Sequence, residues 1–216
     1  MFELGDFEVR NGLRQRIFAW ALGRFNQRYE QFVAPYKQRL FAELRGRVVE
    51  LGPGTGVNLR YLNRDGVQWI GIDPNPFMRP YLLREAERLG MAADCRVGSA
   101  YALPMEDASV DAVICTLVLC SIGDQQRVLD EVLRVLKPGG GFVFIEHVAA
   151  ARGSRLRWVQ RLVAPVWRPL LDGCNPCCET GAELERAGFA AVEYEEMVAP
   201  LPVVSPQIVG VARKGG

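Results

Sequence analysis

Three glycines, each separated from the next by one residue, follow a pair of valines, and this feature limits the possible folds more than any other. Val48 and Val49 predict the end of a buried strand, and Gly52, Gly54 and Gly56 predict a turn against which a ligand can lie. The segment 58–62 then predicts a helix. Free N–H groups at such a helix start suit an anionic or carboxylate group, so the stretch predicts a ligand-binding strand–turn–helix unit.

Two acidic residues add to the glycine pattern, which by itself also occurs in ordinary loops. Glu50 stands two residues before the first glycine, and a second apolar strand ends at Asp73, 17 positions after Gly56. An acid about 20 residues beyond a glycine turn is placed to accept hydrogen bonds from ribose hydroxyls. Asp73 could equally cap the helix that begins near Pro74, and the two roles are compatible.

The order Glu-x-Gly-x-Gly-x-Gly, strand, Asp resembles motifs I and II of the class I methyltransferases that use S-adenosylmethionine (SAM). Dinucleotide-binding domains have G-x-G-x-x-G instead, and here Val57 occupies the third glycine position. The resemblance implies SAM as cofactor, with S-adenosylhomocysteine as its product. It also implies an α/β, Rossmann-like fold with a seven-stranded, mostly parallel sheet in the order 3-2-1-4-5-7-6. Strand 7 would be antiparallel, and helices would cover both faces.

The same resemblance implies a set of cofactor-binding residues along the chain. Ser99 stands where related enzymes often hold the adenine with an aspartate, and Tyr29 is a candidate aromatic that closes over the cofactor. Thr116 and Leu117 follow an apolar strand, whose carboxyl end is where ligands bind in open α/β sheets. The full predicted set is Glu50, Gly52, Gly54, Gly56, Asn58, Asp73, Pro74, Asn75, Met78, Ser99, Ala100, Thr116, Leu117 and Tyr29.

The remaining secondary structure follows from apolar periodicity and from glycine and proline positions. Strands are predicted at 68–73, 94–97, 111–117, 142–147, 190–195 and 207–213, and helices at 11–29, 35–45, 76–89 and 125–136. The segment 137–141 predicts a tight turn. Pro165 and Pro169 interrupt the apolar pattern of 154–171, which predicts two short helices or a helix and an irregular piece.

The 216 residues suit one domain with an appendage: an N-terminal helical lid at 1–45 and a SAM-binding domain at 46–216. An insert at 149–178 would stand over the acceptor site. Residues 9–29 and 149–171 each contain five arginines and no acid, on an otherwise acidic chain. The N-terminal amphipathic stretch is therefore open to three interpretations: a packed helix, a helix lying on a membrane surface, or a lid over the acceptor.

The sequence has no recognisable signal peptide and no apolar run of membrane-spanning length. We therefore expect a cytoplasmic protein that contacts membranes peripherally through its basic amphipathic stretches, with its six cysteines reduced. Nucleic acid is not expected as a partner, because the Asp/Asn-Pro-Pro-aromatic signature of amino-methylating enzymes is absent after strand 4. The oligomeric state cannot be read from the sequence.

Six strings in order make the resemblance more specific. They cover about residues 45–212 and are similar to the animal methyltransferase-like thiol S-methyltransferases and their bacterial relatives: Leu51-Gly-x-Gly-Thr-Gly-x-Asn58, Asp73-Pro-Asn-Pro76, Cys115-Thr-Leu-Val-Leu-Cys-Ser121, Glu146-His-Val-Ala149, Asp172-Gly-Cys174 and Pro206-x-Ile-x-Gly210. This implies a small-molecule thiol or lipid-like acceptor. Two alternatives stay open: N- or C-methylation of a lipid amine or quinone precursor, and a SAM-fold binding module at a membrane surface. Animal members carry an N-terminal hydrophobic anchor, whereas this sequence shows only the short amphipathic stretch.

Two residues are candidate catalytic groups. His147, the only histidine, is predicted at the end of strand 5 as a general base or acceptor orienter, although a structural hydrogen-bonding role or a metal role is open. Asp172 would orient the acceptor or simply form a turn. Cys174, Cys177 and Cys178 lack a second pair at zinc-ligand spacing, so no metal is predicted. Cys115 and Cys120 are expected as small core residues, with Cys120 also a candidate for lining the methyl-donor end. Trp158 and Trp167 are expected as packing residues, with contact to the substrate as the alternative.

Overall fold

The computed structural model describes residues 12–13, 15–17 and 27–216. Seven strands lie within this part: β1 (Gly46–Leu51), β2 (Val67–Asp73), β3 (Asp94–Val97), β4 (Val110–Thr116), β5 (Leu136–His147), β6 (Ala191–Val198) and β7 (Pro206–Arg213). The α-helices that the described residues form, apart from those near the N-terminus, are α1 (Gln27–Phe41), α2 (Arg79–Leu89), α3 (Gln125–Val135), α4 (Arg155–Leu170) and α5 (Thr180–Arg186). Of the N-terminal residues, 13 and 15–17 are helical.

The strands form one sheet in the order β3-β2-β1-β4-β5-β7-β6. The neighbours from β3 to β5 pair in parallel, and β7 is antiparallel to both β5 and β6. The predicted fold class, strand order and antiparallel strand 7 are thereby confirmed. Parallel strands place their carboxyl ends at one edge of the sheet, so the segments that follow β1, β2, β4 and β5 converge there.

Alternating residues of the central strands feed an apolar core on each face of the sheet. Along β4, Val113 and Cys115 pack with α3 and α5, whereas Ala112 and Ile114 pack with α1 and α2. Because both faces are covered, the strand reads as a continuous apolar run in the sequence. A third cluster joins the start of α1 to the ends of β5 and β7, and includes Tyr29.

Three local predictions were wrong, each for a physical reason. The helix predicted at 58–62 is only a 3₁₀ turn, Leu59–Tyr61, because the chain is already extended at Leu62. The predicted turn at 137–141 belongs to β5, which continues directly from α3. The helix predicted at 35–45 is also misplaced, since α1 covers 27–41. Within the helix predicted at 11–29, residues 13, 15–17 and 27–29 are helical, and most of 11–26 lies outside the described residues.

The segment 154–171 was predicted as interrupted, but α4 is a single helix that contains Pro165 and Pro169. Both prolines are exposed. At 100° per residue they lie on the same side as the exposed Trp158 and Leu162. The carbonyl groups that lose their helical partner there can bind water instead, so the prolines cost this helix less than they would in a buried position.

A buried ion pair lies within α1. The Lys37 ammonium is 3.0 and 2.8 Å from the two carboxylate oxygens of Glu30. The ammonium also lies 5.7 Å from the centre of the Tyr61 ring, and Lys37 is 1% exposed. Burial lowers the pKa of Lys37, and the Glu30 carboxylate opposes that change.

Candidate active site

The glycine turn after β1 has the predicted shape. Gly52, Gly54 and Gly56 all have positive φ angles, of 56°, 55° and 82°. A Cβ atom on Gly52 would lie 2.5 Å from Val118 Cγ2, so the loop that follows β4 packs directly on this turn. A Cβ atom on Gly54 would meet no atom closer than the Gly52 carbonyl oxygen at 4.0 Å, so that face of the turn is open to a ligand.

Asp73, at the end of β2, is held by two backbone groups. The Gly54 N–H donates to its Oδ2 at 3.1 Å, and the Asn75 N–H donates to its Oδ1 at 2.8 Å. Burial raises the pKa of Asp73, and these two donors oppose the rise. Asp73 borders a cavity whose lining includes Pro53, Gly54, Asp73, Asn75, Met78 and Val97. A carboxylate at the end of this strand can accept hydrogen bonds from ribose hydroxyls.

Glu50 belongs to a buried network. Asn58 Nδ2 donates to Glu50 Oε1 at 2.7 Å and to Thr116 Oγ1 at 3.1 Å, and Trp69 Nε1 donates to Glu50 Oε2 at 2.9 Å. Burial raises the pKa of Glu50 to about 7, against the effect of these donors. The oxygen Asn58 Oδ1 is buried and accepts no hydrogen bond from the described residues. This oxygen can accept a hydrogen bond from a donor group such as the SAM ammonium. The hydrogen bond from Asn58 Nδ2 to Glu50 holds the Asn58 side chain in position.

Among the other predicted cofactor residues, Ser99 and Ala100 lie in the loop after β3, and Pro74 follows β2. Ser99 lies in the loop after β3; it is buried, and its Oγ accepts from the Tyr101 N–H at 3.2 Å. Gly98 N–H donates to the Asp73 carbonyl oxygen at 3.2 Å, so this loop, which also contains the partly buried Ala100, begins beside Asp73, but neither Ser99 nor Ala100 lines the cavity. Pro74 is exposed and does not line the cavity.

The turn after β4 is fixed by a buried carboxylate. Leu117 has a φ angle of 56°, and its N–H donates to the Ile145 carbonyl at 2.8 Å. The N–H groups of Val118, Leu119 and Cys120 all donate to the Glu146 carboxylate, at 2.8, 3.0 and 3.2 Å. Because Val118 touches the glycine turn, Glu146 sets the position of the loop between the donor turn and the end of β5.

His147 lies beside a group of cysteines at the end of β5. Its Nε2 is 2.9 Å from Cys174 Sγ, and its Nδ1 is 3.8 Å from Cys178 Sγ. Trp167 Nε1 donates to Cys174 Sγ at 3.3 Å. The nearest atoms of Cys120, His147 and Cys174 that can bind a metal all lie within 4.8 Å of one another. These three residues could therefore hold a metal ion.

The hydrogen bonds of this group shift two pKa values in opposite directions. Hydrogen bonding with Cys120 lowers the pKa of the Cys174 thiol to about 5, with help from His147 and Trp167 and against burial. Burial lowers the pKa of His147, but hydrogen bonds to Cys174 and Cys178 outweigh it and raise the pKa to about 10. The pair thus favours a thiolate and an imidazolium. The general-base and orienting roles of His147 both stay predictions.

Asp172 and Tyr29 occupy different parts of this edge. Asp172 has a φ angle of 50° in the turn after α4, and its charge contributes to the raised pKa of Asp73. The Tyr29 hydroxyl donates to Gln207 Oε1 at 2.9 Å, and the side chain is buried in the third core cluster. The catalytic role of Asp172 and the closing role of Tyr29 stay predictions.

Sequence reasoning missed several residues of the site. Trp69 supports Glu50, Glu146 holds the loop at 118–120, and Cys120 joins His147 and Cys174, where a small core residue was expected. Trp167 contacts this group, whereas Trp158 is 66% exposed and does not pack in the core. The one available signal was the position of Glu146 and His147 at the end of a buried strand.

Comparison with known proteins gives several curated relatives that match over most of the chain. Thiol S-methyltransferase TMT1A of Homo sapiens is 38% identical over 218 residues, which cover 93% of this chain and 87% of the relative. Thiol S-methyltransferase TMT1B of Rattus norvegicus is 35% identical over 212 residues, covering 91% and 86%. A family model described as a methyltransferase domain matches residues 49–144, from the glycine turn to β5.

Solved structures agree with the fold. A putative methyltransferase from Bacillus halodurans C-125 has a TM-score of 0.67 at 15% identity, covering 86% of this chain and all of the other. The [4+2]-cyclase SpnF also has a TM-score of 0.67, at 21% identity, covering 86% and 80%. At such identities these likenesses establish the fold alone. The glycine turn, the Asp73 cavity and the two relatives together assign the chain to the thiol S-methyltransferase family of the class I, SAM-dependent methyltransferases.

Proposed function

We propose that this enzyme transfers a methyl group to the sulfur of a small thiol. The observation that carries the proposal is the match to two relatives named thiol S-methyltransferases along almost the whole chain. The match covers the segments that contain Cys120, His147 and Cys174 as well as the donor turn. The acceptor side of the sheet edge is therefore included in the likeness.

The residues of the donor side suit SAM. Asp73 would accept from the ribose, the open face of Gly54 would border the cofactor, and Asn58 Oδ1 would accept from the ammonium group. When bound, SAM supplies an electrophilic methyl group on a sulfonium sulfur. The chain itself holds the two reactants in line, which is where most of the rate gain for such a displacement arises.

A thiol acceptor needs little help from a general base. A free thiol with a pKa near 8.5 is already a few per cent thiolate at neutral pH. At the end of β5 the structure offers sulfur and imidazole groups, with Glu146 bound to backbone N–H groups. This surrounding suits a soft, partly desolvated sulfur better than a protonated amine, which supports the thiol over the lipid-amine alternative.

The test compares acceptors of one carbon skeleton. The purified chain is incubated with SAM and an alkyl thiol, amine or alcohol, and the methylated products are identified by mass spectrometry. We expect the thioether as the main product, and none from the Asp73→Ala control, because that variant loses a donor-site acceptor. Methylation of the amine alone would replace the proposal with N-methylation. No product from any acceptor would favour the binding-module alternative.

We also propose that α4 lies on a membrane surface and that the protein is cytoplasmic and peripheral to membranes. Trp158, Leu162, Val166 and Leu170 are spaced four residues apart and are 63–70% exposed, so they form one apolar stripe. Arg161 and Arg168 are exposed beside it and would meet anionic headgroups. None of the helices among the described residues is long and apolar enough to cross a bilayer.

Vesicle sedimentation tests this contact. The parent chain should sediment with vesicles that contain phosphatidylserine, and Trp158→Glu/Leu162→Glu should stay in the supernatant. Val198→Glu is the matched control, because Val198 is 77% exposed but lies on β6. Equal sedimentation of all three proteins, or of none, would contradict the proposal.

We propose, finally, that the N-terminal segment 1–45 acts as a lid. Asn75 Nδ2 donates to the Gln15 carbonyl at 3.3 Å, and the Arg16 guanidinium lies 5.6 Å from the centre of the Phe77 ring. Both contacts join the N-terminal helical residues to the loop that borders the donor cavity. Hydrogen exchange at 12–17 should slow when S-adenosylhomocysteine binds, and unchanged exchange would contradict the lid.

A further inference from the structure

We propose that Cys120 Sγ, His147 Nε2 and Cys174 Sγ bind a zinc ion, and that the acceptor thiol binds the same ion as its fourth ligand. The inference rests on the proposed thiol methylation, since it names how that acceptor is held. It assigns a metal centre to a group of side chains that lies beyond the carboxyl ends of β4 and β5.

The three ligand atoms lie close to the separations that zinc needs. In a tetrahedral site with Zn–S near 2.3 Å and Zn–N near 2.0 Å, ligand atoms are about 3.5–3.8 Å apart. Here all three lie within 4.8 Å of one another, and His147 Nε2 is 2.9 Å from Cys174 Sγ. Movements of about 1 Å would therefore bring them to tetrahedral separations.

The backbone around each ligand is held in place. Cys120 N–H donates to Glu146, and the Asn175 N–H donates to the Cys120 carbonyl at 2.8 Å, which ties the two cysteine-bearing loops together. Trp167 Nε1 donates to Cys174 Sγ, and such outer contacts orient metal ligands. His147 is fixed at the end of β5, next to Glu146 in the sequence.

The number of ligands points to a reactive site. Structural zinc sites are usually closed by four protein ligands, whereas catalytic sites keep three and leave one position for substrate. Cys178 is a further thiol beside His147, but it donates to the His147 carbonyl oxygen at 3.0 Å and lies outside the group of three. Cys₂His with an open position is a known catalytic ligand set.

The centre is close to the donor side. Val118, two residues before Cys120, touches the glycine turn, and the N–H of Asn175, the residue after Cys174, donates to the Cys120 carbonyl oxygen. The Cys120 loop thus packs on the glycine turn, and the Cys174 loop is tied to the Cys120 loop. An acceptor sulfur bound by this group would therefore be held at the same edge of the sheet as the glycine turn that would border the methyl donor.

The reaction then balances without another reagent. The acceptor R–SH loses its proton to water as its sulfur binds zinc, because the metal favours the thiolate. The sulfur forms a bond to the methyl carbon while the bond from that carbon to the sulfonium sulfur breaks. The electron pair stays on the leaving sulfur, so the products are R–S–CH₃ and S-adenosylhomocysteine.

Metal binding is tested first without activity. Tag-free protein, kept reduced with a phosphine and no thiol reagent, is analysed for zinc and then titrated with Co²⁺ after the metal is removed. We expect one metal per chain, tetrahedral Co²⁺ bands with thiolate charge transfer, and a spectral change when an alkyl thiol but not the matching alcohol is added. No bound zinc and no tetrahedral Co²⁺ spectrum would overturn the inference.

Two variants and one control locate the site. Cys174→Ser and Cys120→Ser should each bind Co²⁺ at least about 100-fold more weakly, since losing even an outer contact typically costs 10–100-fold. Cys177→Ser should bind normally, because Cys177 lies in the same segment but outside the group of three. S-adenosylhomocysteine binding shows that each variant is folded. Unchanged Co²⁺ affinity in both variants would overturn the assignment.

Activity separates the inference from the proposed function. We expect the metal-free protein to bind S-adenosylhomocysteine normally, to lose thiol methylation and to regain it with Zn²⁺. Full thiol methylation by the metal-free protein would overturn the zinc role and leave the proposed function intact. Failure of the zinc-loaded protein to methylate any thiol, with an unchanged Co²⁺ spectrum on thiol addition, would refute both the proposed acceptor and its binding to the ion.

Discussion

Replacement of Gly54 by alanine should separate the cost of backbone strain from the cost of blocking a ligand. Gly54 has a φ angle of 55°, and a Cβ atom there would meet only the Gly52 carbonyl oxygen, at 4.0 Å. The substitution should therefore lower the free energy of unfolding only by the cost of placing alanine in the left-handed conformation, about 1–2 kcal/mol. The new methyl group would project from the turn toward the donor cavity, which Gly54 lines.

Gly139 is the matched control for this substitution. Its φ angle is 75°, a Cβ atom there would meet nothing within 4 Å, and it lies near the start of β5, away from the carboxyl ends of the strands. Gly139→Ala should therefore lower the free energy of unfolding, measured with urea, by a similar amount of roughly 1–2 kcal/mol. Only Gly54→Ala should also weaken S-adenosylhomocysteine binding in calorimetry, by tenfold or more, or about 1.4 kcal/mol.

The two variants can refute the reasoning in different ways. Equal affinity for S-adenosylhomocysteine in Gly54→Ala and Gly139→Ala would mean that the ligand does not approach the turn. A much larger loss of stability in Gly54→Ala would mean that its Cβ atom meets the protein and not the ligand. Gly52→Ala gives the contrasting case: its Cβ atom would lie 2.5 Å from Val118 Cγ2, which adds about 1–3 kcal/mol of overpacking.

Three further predictions concern buried polar groups. The native state keeps Glu50 protonated up to a pKa of about 7, whereas the unfolded chain releases that proton near 4.5. The contribution of Glu50 to the free energy of unfolding should therefore fall between these pH values, by about 3 kcal/mol relative to Glu50→Gln. Parallel pH curves for the two proteins in urea unfolding would disprove this. Glu30→Leu leaves the Lys37 ammonium buried without its carboxylate and should lower the free energy of unfolding by about 3–5 kcal/mol. Adding Lys37→Met in a double variant should recover most of this loss. Equal unfolding midpoints for the single and double variants would contradict this prediction. Tyr29→Phe removes the donor to buried Gln207 Oε1 and should lower stability by about 1–3 kcal/mol in thermal unfolding, and an unchanged midpoint would show that the bond contributes nothing.

The donor half of the site could be predicted because its signals are local. The glycine turn, Glu50 and Asp73 lie within 24 consecutive residues, and their spacing alone reflects a strand–turn–strand unit. The sheet order came from the same motifs, through their resemblance to a family of known fold. Pro74 shows the limit of transfer by motif, because the adjacent Asp73 and Asn75 line the cavity but Pro74 does not.

The acceptor half depends on contacts between distant segments. Cys120, His147 and Cys174 are separated by 27 residues at each step, and only the convergence of loops at the sheet edge brings them together. The sequence could likewise not predict that α4 is one continuous helix. Whether its prolines break it depends on which face of the helix is exposed, and that is decided by what the helix packs against.

Glu146 and His147 are neighbours in the chain, yet one fixes the loop beside the donor turn and the other contacts the cysteines of the acceptor side. A single peptide bond thus joins the parts that handle the two substrates. Any displacement of this end of β5 must move both parts together. Binding of one substrate should consequently change the affinity for the other, by the same factor in each direction, since such coupling is reciprocal.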